Sequence, residues 1–377
     1  MCNTIEFKYT CHQKFRMNIR ICYCAIAKVW RKDITMKGGI IMDFESLIKD
    51  REVKRRDFLK LTGVLGGTIL LGNVGKVFAQ TKKRISVATG GMGGVYFVIG
   101  GGIASILTKY AGVEAAAEVT AASVDNCKLL AAKKSDMGLV IADTGYDSIR
   151  GTGIFKGKAL PLKTLCTIYP HYNQVVTLEG KGIKKVADLK GKRVSTGAPG
   201  SGTEVVAFRI LEAAGINHEK DIKKDRLSAA ESAGALKDGK IDAYFWSGGV
   251  PTASVLDLAA SPGVKISILA HDDLVEKMNA KYGPIYYKTV IPKKSYTGLE
   301  NDVPVSGVTN LLMCHQDMEE QLAYDVVKTI FEHISDLAAI HAEGKNINIK
   351  DNALNKFVPY HKGAAKYYKE KGITVLT

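Results

Sequence analysis

The sequence predicts an α/β protein of two similar lobes joined by a hinge, and three observations carry that expectation. From Arg84 onward, short β-branched or apolar runs alternate with helical patterns, the rhythm of strands and helices taken in turn. Two strand-turn-helix modules open on glycines, Gly90-Gly91-Met92-Gly93-Gly94 and Gly197-Ala198-Pro199-Gly200-Ser201-Gly202, about 105 residues apart. Beyond Val305 one further strand precedes helical patterns over about 318–343 that have nothing of their own to pack on, so the C-terminal segment is expected to return to the first lobe. The boundaries that follow are 84–174 plus 306–377 for lobe one and 175–305 for lobe two, with two or more strands crossing the hinge.

In the first module, residues 85–88 read as a strand, 96–110 as an apolar helix, and a second extended run reaches Thr120. Residues 123–133 read as a helix, with Ser123 at its N-cap and Asp125 in its first turn. Residues 137–141 form the third strand. The second module repeats the pattern with a strand over 193–196 and a helix over 203–214. Ser228-Ala229-Ala230-Glu231 is a capping box that opens another helix, and a strand follows over 241–245. No sequence repeat of solenoid length occurs.

The formal charge of +15 is unevenly placed. Residues 1–79 hold 15 Lys and Arg against 7 Asp and Glu, leaving 38 basic and 31 acidic residues beyond them. No stretch of that remainder interleaves a basic stripe with aromatics, which argues against a nucleic-acid partner. Cysteines divide the same way: Cys2, Cys11, Cys22 and Cys24 lie upstream, and Cys127, Cys166 and Cys314 form an odd, widely spaced trio that allows at most one disulfide. Neither a CxxC pair nor HExxH occurs after residue 79, so no metal or cofactor is expected.

A leader explains the basic N-terminal part. Lys54-Arg55-Arg56-Asp57-Phe58-Leu59-Lys60 precedes an apolar core over 61–71, and Val77-Phe78-Ala79 gives a small-x-small cleavage site before Gln80. The core is about half the roughly 20 residues a membrane-spanning helix needs. Paired arginines followed by Phe-Leu-Lys resemble the twin-arginine signals, whose cargo meets the twin-arginine translocase already folded. Residues 42–79 are thus read as a signal peptide, residues 1–41 as an over-long gene prediction, and the remainder as extracytoplasmic or periplasmic after cleavage near Ala79-Gln80.

Both glycine turns set backbone N–H groups at a helix N-terminus, where donors lack intrahelical partners and the dipole favours negative charge. Such a turn suits a carboxylate or a phosphate. Dinucleotide binding needs GxGxxG, but Gly91 and Gly93 are followed by Tyr96 where the third glycine belongs. GxxxxGK[ST] is absent from both turns. An ordinary cap is the alternative at the second turn, because Ser201 and Glu204 make an S-x-x-E capping box that needs no ligand.

With these turns placed, the chain from about Arg84 to Gly372 resembles the TAXI family, the extracytoplasmic receptors of TRAP-type secondary transporters. The residues that carry the resemblance are Thr89 to Phe97, Thr120-Ala121-Ala122-Ser123-Val124-Asp125-Asn126, Gly197 to Glu204, Asp238 to Phe245 with Gly248 and Pro251, Ile291-Pro292 with Tyr296 and Gly298, and His361 with Gly363-Ala364, Tyr367 to Glu370 and Gly372. Ala121 and Ala122 stand where glycines are usual, which narrows the φ range of that turn, and Phe97 stands where a second Tyr is common. The resemblance implies a periplasmic-binding-protein fold of type II, no catalysis, and a small organic acid or acidic amino acid, glutamate- or 2-oxoglutarate-like, held between the lobes. It also implies TRAP membrane subunits as partners.

The candidate ligand-binding residues are Gly93, Gly94, Tyr96, Ser123, Asn126, Asp143 and Tyr169 from lobe one and Ser201, Gly202, Thr203 and Gly248 from lobe two. Backbone donors would hold the carboxylate while the side chains orient it. Core packing is the alternative for Tyr96 and Tyr169, and a helix cap the alternative for Asp143; a cleft Asp143 would favour a ligand amino group. Arg209 is placed on the packed or solvated side of its helix, and His361 with Tyr367-Tyr368 in lobe packing. A phosphate- or phosphonate-type receptor is the rival reading, since the same turn suits those anions. A sensory or surface receptor without a transport role is another. An enzyme is disfavoured, for no nucleophile sits in a motif such as GxSxG.

Overall fold

The computed structural model describes residues 82–350 and 355–377. The leader, its cleavage site and residues 1–41 lie outside the described residues. Apolar strands buried on both faces need helices on both sides, and the chain supplies them in alternation: β1 (Arg84–Ala88), α1 (Val95–Tyr110), β2 (Glu114–Glu118), α2 (Ser123–Ala131), β3 (Met137–Ile141) and α3 (Ala142–Arg150). Met-Gly-Leu-Val-Ile of β3 is buried at all five positions. A 17-residue strand, β4 (Leu162–Leu178), leads to β5 (Arg193–Ser195), α4 (Gly202–Ala213), β6 (Lys223–Asp225), α5 (Ala229–Lys237) and β7 (Ala243–Gly248). Then come α6 (Ala253–Ala259), β8 (Ile266–Ile268), α7 (Val275–Tyr282), β9 (Tyr286–Ile291) and the 13-residue β10 (Val303–His315). Three helices end the chain: α8 (Glu320–Glu332), α9 (Ile334–Ile340) and α10 (Lys362–Glu370).

The sheet runs β2-β1-β3-β10-β4-β7-β5-β6, with β8 on β4 and β9 on β10. Parallel pairs lie at both ends, and the two long strands lie antiparallel in the middle. Each long strand serves both halves. Residues 162–172 of β4 pair with β10, and its residues 172–177 pair with β7; residues 310–314 of β10 pair with β3, and its residues 303–308 pair with β9. β4 and β10 are therefore the crossing strands, and they join the parallel pairs of both ends into one sheet.

Of the C-terminal helices, α8 and α9 pack on α1 and α10 packs on α8. A Cβ built at Gly102 would lie 2.9 Å from both Leu337 and Ile340, and Tyr110 stacks on His333 with ring centroids 3.5 Å apart. His361 caps α10 by accepting the Gly363 amide on Nδ1, while Tyr367 and Tyr368 are buried against Phe331, which assigns that motif to packing. Cys127, Cys166 and Cys314 are buried free thiols, so none of them pairs with another. None of the described helices is long and apolar enough to cross a membrane.

Candidate ligand site

The two glycine turns meet. A Cβ built on Gly202, the first residue of α4, would lie 2.7 Å from Ser123 Oγ and 3.0 Å from Ser123 Cβ. The Asp125 amide, one turn into α2, donates to the Gly200 carbonyl at 3.2 Å. On the other side Gly94, the N-cap of α1, approaches Trp246 of β7 so closely that a Cβ would lie 3.0 Å from the ring. Three helix N-termini thus converge, and a cavity of about 110 Å³ lies among them. Of the eleven candidate residues, Gly94, Tyr96, Ser123, Tyr169, Ser201, Gly202, Thr203 and Gly248 line it.

Three candidates do not. Gly93 holds the turn at φ +87, a conformation glycine tolerates, and its role is backbone geometry. Asn126 is fully buried: its Nδ2 donates to the Thr89 and Leu139 carbonyls at 2.7 Å each and its Oδ1 accepts from Thr120 Oγ1 at 2.6 Å, so it ties the ends of β1 and β3 to the second turn. Asp143 is also fully buried, away from the cavity. Arg209 Nη1 reaches it at 3.3 Å, the Tyr286 hydroxyl donates to it at 2.5 Å, and Arg209 Nη2 also binds Asp147. Burial holds the Asp143 carboxyl above the usual range, with Arg209 and the Tyr286 hydroxyl pulling it back. One guanidinium between two carboxylates leaves nothing there for a ligand amino group.

Local detail also departs from expectation at the caps. Ser123 is the first helical residue rather than the N-cap, which is Ala122 at φ +81 and ψ −145. Its hydroxyl accepts the Ile141 amide at 3.1 Å, joining α2 to the end of β3. Ser201 does cap α4, accepting the Glu204 amide at 3.1 Å, but the Glu204 carboxylate turns to Arg226 Nη2 at 2.8 Å instead of closing the box. The amides of Gly202 and Thr203 remain the ones no intrahelical carbonyl can reach. The box at Ser228 and Glu231 is closed in both directions.

Sequence reasoning missed His171 in the floor and Trp246 in one wall. His171 and Tyr169 share a face of β4 by the two-residue alternation of a strand, and each is only 2% exposed. His171 lies between the Tyr96 and Tyr169 rings, at centroid distances of 5.0 and 5.2 Å. Burial pushes its imidazole down to about 3 and the Tyr96 and Tyr169 phenols far above their usual range. Trp246 forms a wall, its Nε1 donating to Thr252 Oγ1 at 2.9 Å. The signal for His171 was its position two residues beyond Tyr169; Trp246 sits two before Gly248.

The arrangement is a set of neutral donors converging on a small enclosed space. Comparison with solved structures gives the same architecture. A protein of Bordetella bronchiseptica is similar over 78% of this chain and 99% of its own, at 16% identity and a TM-score of 0.50. The periplasmic aliphatic sulphonate binding protein of Escherichia coli is similar over 76% of this chain and 83% of its own, at 14% identity and a TM-score of 0.42. A binding protein component of an ABC phosphonate transporter from Pseudomonas aeruginosa is 9% identical over 71% of this chain and 80% of its own, with a TM-score of 0.45. At such identities the likeness is one of fold, a mixed α/β sheet flanked by helices. The NMT1-like family matches residues 87–372, from β1 to just past α10. That span takes in both glycine turns, the crossing strands and every residue lining the cavity, and the chain belongs to the NMT1-like family.

Proposed function

We propose that this chain is an exported, non-catalytic receptor that closes two lobes, 84–174 plus 306–377 and 175–305, around a small organic acid and presents it to a TRAP-type permease. One observation carries the reading: the starts of α2 and α4, one from each lobe, touch across a cavity whose lining side chains are all uncharged. Neutral donors at helix starts favour an anion by roughly 0.3–2 kcal/mol through the dipole, plus their hydrogen bonds. The fold supports a binding role, since in this architecture closure about crossing strands traps a ligand. The order of sequence blocks from Thr89 to Gly372 supports the TRAP partner and offers two kinds of acid, amino acids and their oxo counterparts. The leader supports delivery by the twin-arginine translocase, with glutamate- or 2-oxoglutarate-like solutes met outside the cytoplasm.

A thermal-shift screen of small carboxylic acids and inorganic phosphate tests the reading, because a ligand at 100 times its dissociation constant stabilises by about 2.7 kcal/mol. At least one carboxylic acid is expected to raise the melting temperature. Stabilisation by phosphate alone overturns the organic acid in favour of the phosphate or phosphonate alternative.

A further inference from the structure

We propose that the inner end of the cavity, built by His171 and Tyr169 with the Tyr96–Asn310 pair behind them, selects a short monocarboxylate that carries an oxo or hydroxyl group and rejects amino acids and dicarboxylates. This rests on the receptor reading above and keeps its small organic acid, but replaces the glutamate- or 2-oxoglutarate-like solute that the sequence resemblance implies. The first support is an excess of polar atoms. Among the described residues, neither ring nitrogen of His171 has a hydrogen-bond partner, although both are buried, and beside it the Tyr169 hydroxyl and Asn310 Nδ2 face one another outside close hydrogen-bond distance. Buried polar groups are paired in nearly every folded protein, and each one left unmatched weakens it. His171 and Tyr169 line the cavity, so a ligand is the partner within reach.

The backbone is shaped to bring these groups together. Between Thr309 and Leu311 the pairing of β10 with β4 shifts register, and Asn310 sits in that irregularity. Bulges of this kind re-aim a side chain. Asn310 Oδ1 accepts the Tyr96 hydroxyl at 2.7 Å, which leaves its amide as donor and fixes the Tyr96 ring beside His171. With the imidazole held neutral by burial, one of its nitrogens donates and the other accepts. A hydroxyl matches both roles, and a carbonyl matches the donor.

Charge and size narrow the class further. The carboxylate head has the helix starts, but no lining side chain carries a charge to meet a second ion. An ammonium group or a second carboxylate would be buried unpaired, and burying an isolated charge is far costlier than burying a polar group. The buried acids nearby are already engaged, Asp143 by Arg209 and Glu343 by the Val250 amide and Asn346 Nδ2. A cavity of about 110 Å³ is also small, which favours a short ligand.

Calorimetry on the purified full chain with 2-oxoisovalerate, 2-hydroxyisovalerate, isovalerate, valine, 2-oxoglutarate and glutamate tests this. The oxo or hydroxy monoacid is expected to bind at least about tenfold more tightly than isovalerate, valine and both dicarboxylates. In His171→Phe its advantage over isovalerate should fall below about threefold, and in His171→Gln most of it should return. Valine or glutamate binding as tightly as the oxo acid overturns the inference and leaves the receptor standing. An unchanged advantage in His171→Phe overturns the role of His171. If no acid in a wide screen binds, the receptor reading itself falls. The ligand series on the unsubstituted protein decides the matter even if a variant fails to fold.

Discussion

Arg209 of α4 and Asp143 of α3 face one another at 3.3 Å across 66 residues of sequence, and both side chains are almost wholly withdrawn from water. The same guanidinium reaches Asp147 and lies 4.3 Å from the centre of the Tyr282 ring. The pair joins the first half of the chain to the second by tying α4 to α3.

Removing the guanidinium strands two buried carboxylates. Arg209→Met is expected to lower unfolding free energy by about 3–5 kcal/mol, read by urea denaturation at neutral pH. Replacing all three partners, with Asp143→Leu and Asp147→Leu added, should recover most of that loss, because an apolar cluster of similar volume carries no desolvation penalty. A triple variant as unstable as the single one would show that the ion cluster itself, and not charge compensation, holds α3 to α4.

His171 gives the pH dependence a sign. Its folded value near 3 lies below the ordinary imidazole value of 6.5, so the unfolded chain takes up a proton that the folded chain refuses. The resulting stability is present above pH 6.5 and is lost as pH falls from there toward 3. Between pH 7 and pH 5 the loss from this one group is about 2 kcal/mol. Wild type should therefore lose about that much more than His171→Phe over the same interval, and equal losses would refute the shift.

Gly202 is tested by adding one methyl group. Its Cβ would press on Ser123 Cβ at 3.0 Å, next to the backbone of α2, so the helix starts must separate. Gly202→Ala is expected to cost about 1–3 kcal/mol of stability and to weaken ligand binding. Gly101→Ala in α1, where a Cβ meets nothing within 4 Å, should instead stabilise by about 0.5–1 kcal/mol.

Ala122 sits at φ +81 and ψ −145, a region that is nearly reserved for glycine. Ala122→Gly should raise stability by about 1 kcal/mol by urea denaturation, the relief exceeding the entropic cost of an added glycine.

Much of the fold was legible because its strands are short apolar runs closed by glycine turns. Predicted and observed bounds differ by a few residues, as at 85–88 against Arg84–Ala88 and 203–214 against Gly202–Ala213. The turns themselves were found because helix starts and glycines are local signals. The partners of Asp143 were not, since a residue's distance from Arg209 in the folded chain leaves no mark on the sequence around either. Ser123 looked like a cap from its neighbours, but the Ile141 amide, 18 residues away, claims its hydroxyl. His171 lay unread in a long strand because its burial between the Tyr96 and Tyr169 rings shows only in the folded chain.

The order in which the sheet closes follows from β10. Leu312 pairs with Leu139 of β3 on one side and with Cys166 of β4 on the other, so both earlier strands wait for a segment made more than 130 residues later. Until residues 303–315 leave the ribosome, β3 and the first part of β4 each present an open edge, the kind of surface that recruits other strands. Pairing over such sequence distances is slow, because the closure entropy must be met before the contacts form. Translation of nearly the whole chain must therefore precede the completion of its centre, and the nascent protein depends on staying apart from its own copies during that interval.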